Sequence, residues 1–162
     1  MTHTAVQAKP SFNADVAAAV AQFLGPVVIE LTALQINGKQ AHWHVRGTSF
    51  VPVHELLDSI VDHAHEWTDL AAERVVALGL PIDARVGTVA AQTQSTALTA
   101  GFAPADQIIR EVLAQIDVAR EAVTRAVDAL GDIDPASQDV SIEIQRGLDK
   151  DRWFLYAHIA EE

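Results

Sequence analysis

Residues 54–73 read HELLDSIVDHAHEWTDLAAE, with neither glycine nor proline, and constrain the chain more than any other stretch. Such a run reads as one helix. At about 100° per residue, His54, Asp58, Asp62, His65, Asp69 and Glu73 fall within one face about 100° wide. That face carries no Lys or Arg, as a merely solvated face would. Its six side chains can all bind metal or move protons. The bland reading of the same stripe is a surface helix whose charges face water.

Distance along the helix adds a second constraint. His54 and Asp58 lie one turn apart, as do Asp69 and Glu73, so each pair can share an ion. Asp58 and Asp69 are separated by roughly 16 Å of helix axis. No single ion reaches both pairs. A second copy running antiparallel across a two-fold axis near Asp62–His65 brings His54 and Asp58 of one chain opposite Asp69 and Glu73 of the other. The symmetry then makes two such sites. The spacing therefore predicts half-sites completed by dimerisation.

The surrounding pattern is helical throughout. Asn13 is a candidate N-cap for a short helix carrying Val16, Val20, Phe23 and Leu24, which Gly25-Pro26 is expected to break. A helix over about 26–45 follows, then one over about 49–78 that contains the stripe and ends at Gly79-Leu80-Pro81. Residues 81–103 form a long polar connection with room for a short helix near 88–94. Helices follow over about 104–130 and 134–159, separated by Gly131 and Asp134-Pro135. No alternating strand pattern occurs. Four main helices with a long crossover, of the kind ferritin-like folds use, predict an all-α bundle; the family resemblance described below implies a ferritin-like four-helix bundle with a short extra helix in the crossover. Residues 13–162 form this single domain and 1–12 a flexible arm.

Composition narrows the chemistry. The chain has 162 residues, enough for one sizeable core. It has no cysteine, which removes disulfides and thiolate sites and fits a reducing cytoplasm. No secretory signal or apolar run of eighteen residues is evident, so no membrane span is expected. The net charge of −11 favours cations and opposes nucleic acid.

Outside the stripe, few residues carry chemistry. QAHWHVRG places His42 and His44 close in sequence to the stripe's start, so His42 can lie near His54 and Asp58. Imidazoles with carboxylates suit Fe(II) or Mn(II), and Zn(II) competes for them. The chain has no Glu-x-x-His, so a di-iron site inside one bundle is not expected. Trp43 and Trp67 read first as core or interface residues. Trp43, beside His42, is also a candidate electron donor. His63 and His65 read first as solvated or interface residues, and both, with Asp62, are further candidates for metal contact. Asp134, Asp139 and Glu143 read most simply as a helix cap and a solvated face.

KQAHWHVRG, FVPVHELLD and TDLAAERVVALG together resemble the signature of the Dps family, the mini-ferritins of starved bacteria. His42, His54, Asp58, Asp69, Glu73 and Arg74 match its pattern, and LDKDRWFLYAHI resembles its last helix. The similarity covers about residues 13–160. It implies a hollow homo-dodecamer with ferroxidase centres at two-fold interfaces. His42, His54 and Asp58 of one chain would join Asp69 and Glu73 of its mate. Fe(II) would be the substrate, oxidised preferentially by hydrogen peroxide, with ferric oxide stored inside. Asp134, Asp139 and Glu143 would line acidic pores at three-fold axes. Many members bind DNA through a Lys-rich tail. This chain departs there: its first twelve residues hold only Lys9, and its last eleven only Arg152. DNA binding is therefore not expected. Two other functions use the same residues: a metal-dependent hydrolase of ester or amide bonds acting through metal-activated water, and a cation-binding shell without turnover.

Overall fold

The computed structural model describes residues 13–160; the expected arm, 1–12, lies outside them. The elements run α1 (Ala14–His44), β1 (Val45–Arg46), α2 (Phe50–Ala77), α3 (Val86–Gln92), β2 (Ala103–Pro104), α4 (Ala105–Leu130) and α5 (Pro135–Tyr156). The four long helices form the ferritin-like bundle, and α3 is the short helix of the crossover.

The expected break at Gly25-Pro26 does not occur. α1 runs unbroken from Ala14 to His44, with Pro26 inside it and Asn13 capping its start. Proline removes one helical hydrogen bond and crowds the preceding turn, at a cost of about 3 kcal/mol. Val20 and Leu24 before it, and Val27, Val28 and Leu31 after it, belong to one buried cluster. Each buried aliphatic side chain contributes roughly 1.5–3 kcal/mol, so packing on both sides outweighs the local defect. α1 is also long and apolar enough, by length and composition, to cross a membrane. Its apolar residues instead supply much of the bundle core.

Two short features were not legible as strands. Val45 and Arg46 pair in parallel with Ala103 and Pro104, tying the α1–α2 turn to the start of α4. Gly47, at φ +116°, turns the chain from that bridge into α2, a conformation other residues rarely adopt.

The polar crossover is strapped down. Glu30, 4% exposed within α1, accepts hydrogen bonds from the Gln94 amide at 2.8 Å and the Thr93 hydroxyl at 2.7 Å. Buried Gln115 of α4 donates to the Thr96 carbonyl and accepts from Asn37 of α1, both at 2.9 Å. These bonds let the crossover pass across the bundle without a long helix of its own. The α1–α2 turn, the start of α4 and the end of α5 share one end of the bundle.

Candidate metal centre

Three of the expected ligands come together where α1 ends and α2 begins. The His42 and His54 rings stack with centroids 3.6 Å apart. His42 Nδ1 donates to the His54 carbonyl, and His54 Nδ1 donates to the His42 carbonyl, each at 2.8 Å. A carbonyl only accepts, so each Nδ1 carries the proton. The lone pair is left on Nε2 of both rings, the state needed for metal binding. Phe50 packs on the outer side of His54, with ring centroids 4.9 Å apart. Twelve residues of spacing and a tight turn thus fix two imidazoles without any dedicated partner side chain.

Asp58 sits beside this pair, its Oδ1 3.9 Å from His42 Nδ1. In the single chain its carboxylate is held by Lys39 of α1 in a short ion pair. That bond keeps the Asp58 carboxyl below its ordinary range, with smaller contributions from His42 and His54. No spacing along α2 reveals Lys39, because its ammonium arrives from α1.

Asp62, His65, Asp69 and Glu73 all lie exposed further along α2. The side-chain amide of Gln35 meets His65 Nδ1 at 3.2 Å. Among the described residues no three His, Asp or Glu side chains form a closed metal-binding group. His42, His54 and Asp58 thus gather at the start of α2, and Asp69 and Glu73 lie exposed near its end.

The remaining candidates divide. Trp43 is 57% exposed, whereas Trp67 is half-buried against α5. His63 donates from Nδ1 to buried Asp151 of α5 at 3.0 Å, an anchored pair where a solvated or interface histidine was expected. Burial raises the Asp151 carboxyl, and the His63 bond only partly offsets it. Asp134 is not a free carboxylate: Arg74 donates to it at 2.6 Å and Ser137 also bonds it. Burial opposes its ionisation, yet the Ser137 and Arg74 bonds carry it below the ordinary range. Asp139 and Glu143 are exposed on the first turns of α5.

The chain matches the ferritin-like domain family over residues 29–162. It is 35% identical over 133 residues to the DNA protection during starvation protein of Agrobacterium fabrum, with 80% of each chain covered. It belongs to the Dps family. Similarity to the fine tangled pili major subunit of Haemophilus ducreyi is 31%, over 83% of this chain and 76% of that one. The solved Dps of Microbacterium arborescens, in its high iron form, is 56% identical, covering 94% of this chain and all of that one at a TM-score of 0.92. The Dps and ferritin-like families carry iron storage and protection from oxidative stress.

Proposed function

We propose that this Dps-family chain is a mini-ferritin that detoxifies and stores iron, oxidising Fe(II) preferentially with hydrogen peroxide at centres shared between two subunits. The observation that carries this reading is the reciprocal His42–His54 bonding. It leaves each ring an Nε2 lone pair in a cluster that includes Asp58, whose Oδ1 lies 3.9 Å from His42 Nδ1, with too few donors among the described residues of one chain to finish a site. Asp69 and Glu73 of a mate complete it across a two-fold axis, and Asp62 and His65 flank it. Iron is the substrate. The reaction balances as two Fe²⁺, one H₂O₂ and two H⁺ giving two Fe³⁺ and two H₂O. His42, His54 and the carboxylates hold the iron ions together so that both electrons reach one peroxide. Trp43, next to His42, stands ready to donate an electron to an oxidised site.

Twelve copies built from two-fold dimers would enclose the ferric oxide, and Asp139 and Glu143, with Asp134 behind them, would draw iron through acidic pores. A cytoplasmic, cysteine-free protein of net charge −11 would act without binding DNA. Family membership favours iron over the acyl substrates of the hydrolytic alternative. The test is anaerobic Fe(II) loading followed by peroxide titration. One peroxide consumed per two Fe(II), without hydroxyl radical, is expected. Radical release at the rate of protein-free iron would refute the reading, acyl cleavage without iron turnover would favour the hydrolase, and binding alone a passive shell.

A further inference from the structure

The α2 stripe holds two residues that the shared centres leave over. A two-fold axis that sets His54 and Asp58 opposite the mate's Asp69 and Glu73 crosses α2 midway between those pairs, between residues 63 and 64. Asp62 and His65 stand on either side of that crossing, each about 2 Å from it along the helix. Around the helix they project at about 80° and about 20° from His54, either side of the centre of the face that the two pairs span. Both are exposed in the single chain. The crossing lies roughly 11 Å along the helix from the middle of either pair, so an ion held there is not an ion of the shared centres.

The rotation brings the mate's Asp62 and His65 to the same point, so two imidazoles and two carboxylates converge on the axis. Packed helices stand about 8–10 Å apart, which puts an ion on the axis within reach of all four side chains. Charge calls for one. Among the described residues no Lys or Arg pairs with Asp62. Two Asp62 carboxylates brought together in a contact cost energy unless a cation stands between them. His65 is already steered from inside the chain, where the side-chain amide of Gln35 on α1 meets its Nδ1 at 3.2 Å. An amide offers an N–H or, after a half-turn, a carbonyl oxygen. With the oxygen accepting the Nδ1 proton, the Nε2 lone pair is free for a metal.

We propose that Asp62 and His65, together with the same two residues of a second copy, hold one four-coordinate Zn(II) ion on the two-fold axis, separate from the iron centres. Two imidazole nitrogens and two carboxylate oxygens are a donor set that Zn(II) takes tetrahedrally. Its charge cancels that of the two carboxylates, and it has no redox chemistry, so it ties the two chains together between two peroxide-consuming centres without turning over. The inference rests on the two-fold reading above, and the test separates the two. The chain has no cysteine, so Asp62→Cys supplies a single thiol. A short bis-maleimide should join two such chains into a covalent dimer; no cross-link would refute the two-fold reading and the axial site with it. Zinc is then counted on protein carrying His54→Ala and Asp58→Ala, which removes competing ligands at the start of α2. After equilibration with Zn(II) and gel filtration, one zinc per two chains is expected. Adding Asp62→Asn and His65→Gln should weaken zinc binding at least tenfold. Co(II) in place of zinc should show the intense visible absorption of a four-coordinate ion, lost on the same two substitutions. Chains that cross-link but bind no zinc, bind one zinc per chain, or keep their zinc after those substitutions would overturn the axial site and leave the shared iron centres standing.

Discussion

Replacing Gly147 with alanine should destabilise the protein, against what helix propensity predicts. Gly147 lies inside α5, and an added Cβ would stand 2.0 Å from Cζ2 and 2.6 Å from Cη2 of Trp67. Alanine in a helix interior is favoured over glycine by about 1 kcal/mol. The indole would have to retreat by more than an ångström to regain van der Waals contact, and Trp67 is wedged between α2 and α5 next to the His63–Asp151 pair. Overpacking of this kind costs about 1–3 kcal/mol and occasionally more. A contact of 2.0 Å takes the upper part of that range, about 2–3 kcal/mol, so the net loss is about 1–2 kcal/mol, or a fall of roughly 2–8 °C in melting temperature for a chain of this size. Thermal and denaturant melts of the Gly147→Ala protein measure it directly. Gly87→Ala, inside α3, is the control: nothing lies within 4 Å of its added Cβ, so it should not destabilise the protein. A Gly147→Ala protein as stable as Gly87→Ala would show that the Trp67–α5 contact does not set the spacing of these helices.

Further outcomes follow from the site and its surroundings. Lys39→Met should raise oxidant-free Fe(II) or Co(II) affinity, because the ammonium holding Asp58 is gone; the pair is exposed and weak, so titration calorimetry should show a gain of no more than about fivefold. Asp151→Asn should raise the melting temperature at neutral pH. The folded carboxyl is raised by burial, so its contribution to stability is present below the unfolded pKa and lost as pH rises through the folded one. Asparagine removes that loss and should flatten stability between mildly acidic and neutral pH; a lower melting temperature at neutral pH would contradict this. Plasmid mobility at physiological salt should be unchanged by the protein, since net charge −11 and a single arm lysine offer no phosphate-neutralising patch.

Most of the architecture was legible because the helices are regular and the connections carry strong breakers. α2, α3, α4 and α5 lie within a few residues of their expected bounds. The continuity of α1 through Pro26 is not legible from local propensity, which is all a sequence window shows; Val20, Leu24, Val27 and Leu31 decide it through tertiary burial. The two-residue β1–β2 bridge is too short to show an alternating pattern. At the site, the approach of His42 to His54 and Asp58 followed from a short turn. The proton positions on the two rings did not, because they depend on backbone carbonyls brought into register by folding. Lys39 on Asp58, Asp151 on His63 and Arg74 on Asp134 each join different helices, and no spacing within one helix reveals such a partner.

The shared centre is tested most directly by complementation. One variant carries His54→Ala with Asp58→Ala, the other Asp69→Ala with Glu73→Ala. Each alone should lose fast peroxide-driven Fe(II) oxidation. In a mixed dimer all four defects fall at one of the two interface sites, and the other site is left whole. Co-refolding the variants, with mixed assembly confirmed by native mass, should therefore restore part of the activity. Confirmed mixed dimers that remain inactive would contradict the account and place the ligands within one chain or on another helix.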